Sequence, residues 1–136
     1  MIAFDTDIVS DIWAGHEPYA SRAQAIPLAD QAISVTVAEE VLRGRLDQIR
    51  KAEAGRGASN LVEAFRRFET AINGSRTLPI TDAAHALVLA WKAAKVRVGP
   101  RDMRIAASAL VAGYTLVTRN ARDFSQLPGL VLDVWT

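Results

Sequence analysis

Apolar residues along this chain alternate between short runs typical of β-strands and longer runs with helical spacing. The short runs predict strands at residues 2–5, 32–36, 115–118 and 130–134. The longer runs predict helices near residues 6–14, 19–28, 37–54, 60–72, 82–95 and 100–113. Strands separated by helices indicate βαβ units. The pattern therefore predicts an α/β fold with a mostly parallel central sheet flanked by helices.

Length and composition narrow the class of protein. The chain has 136 residues, of which 50% are hydrophobic and 23% charged, so we expect one folded domain spanning residues 1–136. It contains no cysteine, which excludes disulfides, thiolate metal sites and a thiol nucleophile. The apolar start reaches Asp5 too soon for a secretory signal, and no run is long enough to span a membrane. We therefore expect a cytoplasmic protein with no membrane association.

Acidic residues cluster where predicted strands end or helices begin. Asp5 ends the first strand, and Glu39 and Glu40 lie in the first turn of the helix after the second strand. Asp102 lies in the first turn of a later helix, and Asp123 follows the third strand together with Asn120. Ligands of parallel sheets bind beyond the carboxyl ends of the strands. A single cleft could therefore collect these acids.

Each acid also has an ordinary structural explanation, because carboxylates in a first helical turn cap free N–H groups and complement the helix dipole. Asp102 is the exception, since helical spacing puts it on the same face as the apolar Ile105, Ala106 and Ala109. An acid on a buried face needs a partner or a cation. Neither Arg101 nor Arg104 is an obvious local partner, because both lie on other faces of the helix.

Glu40 has a second distinctive feature, which is a glycine one helical turn away. Gly44 shares its face, and glycine inside a helix costs about 1 kcal/mol relative to alanine. The missing side chain leaves room for an ion or a phosphate, or it permits a close contact between helix and sheet. Glu39 points elsewhere, and we interpret it as an ordinary cap.

The chemistry of such a cleft suggests a divalent ion. Clustered carboxylates repel one another and raise their pKa values unless a cation is present. Oxygen ligands without His or Cys favour Mg²⁺, with Mn²⁺ as a second possibility. Of the 16 basic residues, 13 are Arg, the side chain best suited to phosphate, although coding bias could produce the same excess. An acidic metal site in such a chain suits a phosphodiester substrate.

Four segments in order resemble the motifs of PIN-domain ribonucleases, specifically the VapC-type toxins of type II toxin–antitoxin pairs. The first is IAFDTD at residues 2–7, and the second is ISVTVAEEVLRG at residues 33–44. The third is GPRDMRIAA at residues 99–107, and the fourth is LVTRNARDF at residues 116–124 followed by PGL at residues 128–130. Each segment alone is a weak signal, but four in order at family spacing are specific.

The resemblance implies a PIN-like three-layer fold and an Mg²⁺-dependent endoribonuclease. Its acidic quartet, which would hold the metal and carry catalysis, corresponds to Asp5, Glu40, Asp102 and Asp123, with Thr6 and Asn120 in support. Asp7 departs from the family pattern, where Asn or Ser is usual, and it adds a negative charge near the metal. The implied partners are an RNA substrate, a VapB-like antitoxin that neutralises the toxin, and a second copy of the chain in a homodimer.

Several other features are weaker guides to function. Arg43, Arg45 and Arg104 lie one or two turns from the proposed ligands and are candidate RNA contacts, although solvated helix charges are the default. The three tryptophans are better explained by packing in the core or at a dimer interface than by base stacking, and they are Trp13, Trp91 and Trp135. His85 is more typical of a packed or surface residue than of a catalytic base.

Two alternative functions stay open at this point. The segment FDTD also fits the aspartyl nucleophile of a HAD-like phosphatase, but that chemistry needs a lysine near the phosphate. Lys51, Lys92 and Lys95 are the only lysines, and none lies beside an acidic pair in the sequence. The second alternative is a non-catalytic PIN-fold binding module, which the intact acidic quartet disfavours.

Overall fold

The computed structural model describes the backbone of residues 1–53 and 58–136, with side chains except those of residues 52, 53, 58–61 and 64. Its strands are β1 (Ile2–Phe4), β2 (Gln31–Ser34), β3 (Arg76–Leu78), β4 (Thr115–Thr118) and β5 (Leu132–Val134). Its α-helices are α1 (Thr6–Ala14), α2 (Tyr19–Gln24), α3 (Val35–Glu53), α4 (Ala58–Gly74), α5 (Asp82–Ala93), α6 (Pro100–Ala112) and α7 (Ala121–Phe124). A single 3-10 turn, Leu28–Asp30, precedes β2.

The five strands form one parallel sheet in the order β3-β2-β1-β4-β5. The chain runs outward from β1 to β3, returns across the sheet to β4 and ends at β5. Since βαβ connections are right-handed, the outward path lays α1–α4 on one face and the return path lays α5–α7 on the other. The predicted α/β fold with a flanked parallel sheet is therefore confirmed.

The middle strands and the helices over them form the core. Residues 32–34 and 116–118 are buried, as expected for strands covered on both faces. The three tryptophans pack rather than project into solvent. Trp135 meets Phe4 edge-on with ring centroids 5.7 Å apart, Trp13 meets Phe68 at 5.9 Å, and Trp91 is buried. Their predicted packing role is confirmed.

The helix predicted over residues 19–28 is wrong at its end, because α2 stops at Gln24. Pro27 disfavours helical backbone in the residue before it. The Gln31 side chain supplies hydrogen bonds to two carbonyls at the end of this segment. Its Nε2 donates to the carbonyls of Ala23 and Ile26 at 2.8 and 2.7 Å.

The junction between β2 and α3 also lies earlier than predicted. The helix begins at Val35, where Ser34 Oγ accepts a hydrogen bond from the Val37 N–H at 3.1 Å and so serves as a cap. Glu39 and Glu40 therefore lie in the second turn, and the interpretation of Glu39 as a cap is wrong. The predicted end of this helix, at Ala54 before Gly55-Arg56-Gly57, lies outside the described residues.

Two short elements have no counterpart in the prediction. Strand β3 is an edge strand with Arg76 and Thr77 exposed, so it lacks the apolar run that marks a buried strand. Helix α7 has only four residues and is held at its start by the Asn120 side chain. In the part of the chain that the structure describes, no helix combines the length and apolar character that a membrane span needs.

Candidate functional site

The topology creates a crevice where β1 and β4 lie side by side. These neighbours belong to the outward and return paths of the chain, so the helices that follow them diverge to opposite faces of the sheet. Such switch points are where open α/β sheets bind ligands. A cleft of about 440 Å³ opens there, lined by Asp5, Thr6, Asp7, Glu40, Arg101, Asp102 and Asn120.

Asp5 lies at the base of this cleft and is 9% exposed. It is the N-cap of α1, because Oδ1 accepts the Thr6 N–H at 2.7 Å. Its Oδ2 accepts the hydroxyl hydrogen of Thr118 at 2.8 Å, and Thr118 is the last residue of β4. Burial raises the pKa of Asp5 despite these two hydrogen bonds, and the charges of Asp7 and Glu40 raise it further. Asp5 is therefore a structural cap, and it is also a carboxylate whose ionised form is destabilised by burial and by neighbouring negative charges.

Asp102 shares this strained environment from the first turn of α6. It is half-buried, and the apolar residues predicted on its face, Ile105, Ala106 and Ala109, are fully buried. Burial raises the pKa of Asp102, and the charges of Asp5, Glu40 and Asp123 raise it further, against a lowering effect of Arg101. The predicted carboxylate repulsion is thus present in the structure.

Glu40 enters the cleft from α3 between two partners. One carboxylate oxygen accepts the hydroxyl hydrogen of Thr6, and the other forms an ion pair with Arg101, with Nε 2.7 Å away. Gly44, one turn further along, would meet no atom within 4 Å if it carried a Cβ. The interpretation that Gly44 permits a close contact between helix and sheet is therefore wrong. The interpretation that remains is that Gly44 leaves open space beside Glu40.

Asp123 approaches the cleft through a chain of hydrogen bonds. Thr118 Oγ1 accepts the Asn120 N–H at 2.9 Å, and Asn120 Nδ2 donates to Asp123 Oδ2 at 3.0 Å. The chain runs from Asp5 to Asp123 and holds Asn120 at the cleft wall. Asp123 is half-buried and acts on Asp102 through its charge, but it does not line the cleft itself.

The donor set fits a hard divalent ion. Asp5 and Asp102 are carboxylates whose pKa values are raised by burial and by the charges of neighbouring carboxylates, which a cation would relieve. In residues 1–53 and 58–136, no three acidic or histidine side chains are arranged to hold an ion together. Mg²⁺ typically takes only one or two carboxylates and completes its shell with water and substrate phosphate. The Asp5–Asp102 pair meets that requirement.

The three arginines predicted to contact RNA lie outside the cleft wall. Arg43 is exposed and paired with Glu39 at 2.5 Å, and Arg104 is half-buried in α6. Arg45 donates to Gln48 at 3.2 Å and borders a separate depression beside Trp13. The structure does not bring them to the acids, so their contact with RNA stays a prediction.

Two residues of the site escaped the sequence analysis. Thr118 bonds Asp5 across 113 positions, and a threonine at the end of a buried strand gave no local signal. Arg101 was set aside because it lies on a different helix face from Asp102, yet its long side chain reaches Glu40 on another helix. Both residues lie inside segments that carry the family resemblance, Thr118 in residues 116–124 and Arg101 in residues 99–107.

The cleft and the sheet order define an α/β protein with an acidic site at a strand switch point, and comparison with known proteins identifies the family. The PIN domain model matches residues 2–130. The chain therefore belongs to the PIN domain family, which confirms the resemblance drawn from its four motifs. A comparison with curated proteins finds no match.

Solved structures of similar fold come from toxin–antitoxin complexes. A chain of DNA-bound VapBC from Salmonella typhimurium is 22% identical, with a TM-score of 0.75 and 100% of both chains covered. A chain of VapBC2 from Rickettsia felis, bound to a promoter DNA fragment, is 20% identical with a TM-score of 0.73 and the same coverage. FitAcB from Neisseria gonorrhoeae is 19% identical with a TM-score of 0.77, covering 98% of this chain and 97% of that one. These likenesses establish the fold.

Proposed function

We propose that this protein is a VapC-like toxin, a divalent-ion-dependent endoribonuclease neutralised by an antitoxin. The observation that carries the proposal is a pair of carboxylates at the switch point of a PIN-domain sheet, the buried Asp5 and the half-buried Asp102, whose pKa values are both raised. PIN-domain toxins of this kind are nucleases. The match with the chains of VapBC and FitAcB complexes supports the toxin assignment.

In this function Asp5 and Asp102 would hold the ion, and Asp123 would add negative charge from behind Asn120. When bound, the ion supplies a Lewis acid for the phosphate and lowers the pKa of a water. Mg²⁺ is the ion we propose, with Mn²⁺ as a substitute, because the donors are oxygens. Thr118 and the Thr6 N–H keep the Asp5 carboxylate in one orientation, so its oxygens are positioned before substrate arrives.

Water attack on the phosphorus forms one P–O bond and breaks the bond to the leaving ribose oxygen. The water gives up its protons to a base or to solvent, and the leaving oxygen takes one up. Solvent water in the cleft would take the proton, because Asp102 would hold the ion and both oxygens of Glu40 are engaged by Thr6 and Arg101. Asp7 is exposed at the rim and adds to the charge that the ion must offset.

We further propose two protein partners. The first is an antitoxin whose Arg or Lys side chain enters the acidic cleft and takes the place of the ion, since a cation relieves the same repulsion. The second is another copy of this chain. Light scattering at tens of micromolar should give about twice the 14.7 kDa chain mass. A species of single-chain mass alone would contradict the dimer.

The direct test is RNA cleavage by the purified protein with Mg²⁺, with Mn²⁺ and with EDTA. Asp102→Asn should reduce cleavage by at least about 100-fold, because it removes a carboxylate from the site. Asp82→Asn is the matched control, since Asp82 is an exposed first-turn acid on α5. Absence of cleavage by the wild type, or equal cleavage by both variants, would refute the proposal.

The alternatives make different predictions in the same assay. A HAD-like phosphatase would hydrolyse an aryl phosphate, but no lysine is among the described residues that line the cleft. A non-catalytic module would bind RNA or antitoxin without cleavage. Both outcomes are read from the same protein preparation.

A further inference from the structure

The acidic cleft contains a positive charge that the proposed metal site does not explain. Its lining includes four carboxylates, and among the described residues around it the single cation is Arg101. A cleft with this balance repels a polyanionic strand, and one divalent ion offsets only half of the carboxylate charge. A nuclease at this site therefore needs a further positive group that faces the phosphate.

The Arg101 guanidinium contacts Glu40 through Nε, on one side of the group. Its Nε lies 2.7 Å from a carboxylate oxygen of Glu40 in an ion pair, and the described residues show no hydrogen bond from its two terminal nitrogens. The Arg101 side chain is 54% exposed, whereas that of Glu40 is 14% exposed. Thr6 bonds the other oxygen of Glu40, so the carboxylate that holds Arg101 is itself fixed.

We propose that Arg101 grips a phosphate of the substrate strand with its terminal nitrogens, and that Glu40 positions it for this task. The inference rests on the proposed nuclease function and identifies how its site accepts an anionic strand. A planar guanidinium offers paired N–H donors that match phosphate oxygens, and an ion pair at Nε leaves the terminal nitrogens free to make these contacts. Arg101 is then a catalytic residue that contacts substrate, and Glu40 is a positioning residue.

The competing explanation is that Arg101 only neutralises Glu40 and occupies space that a metal ion would take. The two explanations differ in what the loss of Arg101 does. A phosphate contact predicts weaker binding of the strand with metal affinity maintained. A resident counterion predicts tighter metal binding with strand affinity maintained.

The test compares Arg101→Met with Arg50→Met. Arg50 also pairs with an acid, Asp47 at 2.8 Å, but it lies ten residues beyond Glu40 on α3, about 15 Å along the helix. Both variants keep an aliphatic side chain, and Arg101 and Arg50 are both exposed, so both variants should fold. Arg101→Lys, which keeps the charge without the paired donors, should recover part of the binding lost in Arg101→Met.

Two binding measurements are made in parallel. The first titrates a fluorescent single-stranded oligoribonucleotide with methylene phosphonate linkages, which keep the negative charge and resist hydrolysis, in the presence of Mg²⁺. The second titrates Mn²⁺ by calorimetry without RNA. We expect Arg101→Met to raise the Kd for the oligonucleotide at least about tenfold relative to Arg50→Met, the typical effect of losing a hydrogen bond to a charged group. The Kd for Mn²⁺ should stay within about threefold of wild type or fall slightly.

Oligonucleotide affinity within twofold of the Arg50→Met value would overturn the inference, as would a large gain in Mn²⁺ affinity with strand binding intact. Cleavage of ordinary RNA by the wild type is measured beside these titrations. Cleavage with no effect of Arg101→Met would remove the inference and leave the nuclease function standing. Weaker binding in Arg101→Met without any wild-type cleavage would remove the nuclease function and leave the phosphate contact standing.

Discussion

Replacing Asp5 with Asn tests whether the cleft stores carboxylate repulsion. The substitution preserves size, and the Asn Oδ1 can still accept the Thr6 N–H that caps α1. The new amide nitrogen faces Thr118 Oγ1, which donates to Asp5 in the wild type and already accepts from the Asn120 N–H. The amide can donate to that oxygen, but the Thr118 hydroxyl hydrogen then loses its acceptor.

Two effects of opposite sign determine the stability of this variant. The lost Thr118 hydrogen bond lowers the free energy of unfolding by about 1 kcal/mol at any pH. Removal of the charge raises it at neutral pH, because the ionised Asp5 is desolvated and repelled by Asp7 and Glu40. Each unit by which the pKa of Asp5 is raised corresponds to about 1.4 kcal/mol. The charge of Asp5 also raises the pKa of Asp102, so the substitution relieves that carboxylate too.

The pH dependence separates the two effects. Because the pKa of Asp5 is raised above its ordinary value of 3.8, the folded protein binds this proton more tightly than the unfolded chain does. The contribution of Asp5 to the free energy of unfolding is therefore greatest below about pH 4 and is lost as pH rises through the raised pKa. Asp5→Asn lacks this contribution. We expect it to be less stable than wild type near pH 4 and at least as stable near pH 7.

Urea unfolding in EDTA at several pH values between about 4 and 8 measures this difference, with Asp82→Asn as the control for loss of an exposed carboxylate. The control should show a small and nearly constant loss. Mg²⁺ should then stabilise wild type more than Asp5→Asn. A stability difference between Asp5→Asn and wild type that does not change with pH would refute the repulsion, as would equal stabilisation by Mg²⁺.

Three further substitutions test the surroundings of the site. Gly44→Ala should raise the free energy of unfolding by up to about 1 kcal/mol, because nothing lies within 4 Å of the added Cβ, and thermal melts measure this. RNA cleavage should fall in the same variant if substrate uses that space, which cleavage rates measure. Gly113→Ala should lower stability by about 1 kcal/mol, since Gly113 ends α6 with φ of 77°; equal melting temperatures would contradict this. Phe124→Ala should lower the free energy of unfolding by about 3–5 kcal/mol, because Phe124, next to Asp123, is 1% exposed. A loss below about 1 kcal/mol in urea unfolding would show that the core collapses into the cavity left by the ring.

Local signals in the chain were sufficient to predict most of the fold. Apolar runs marked the three middle strands, and their burial on both faces is what makes such runs visible. Pro100 and Gly113 marked the start and end of α6, because proline suits the first helical turn and glycine suits a left-handed cap. Asp102 could be placed on the apolar face of that helix from spacing alone, because helical geometry relates residues three and four apart.

The arrangement of the site depends on contacts between distant segments, which no local pattern encodes. Strand β3 was missed because an exposed edge strand is defined by pairing with β2 and not by its own hydrophobicity. The bond from Thr118 to Asp5 exists because β1 and β4 are neighbours, and that order is set by how the connections cross the sheet. Helix α3 belongs to the outward path of the chain and α6 to the return path, and the two helices meet over the strand ends. Arg101 on α6 therefore reaches Glu40 on α3. Helical spacing describes one helix at a time, so it cannot show which side chain of another helix fills the space in front of it.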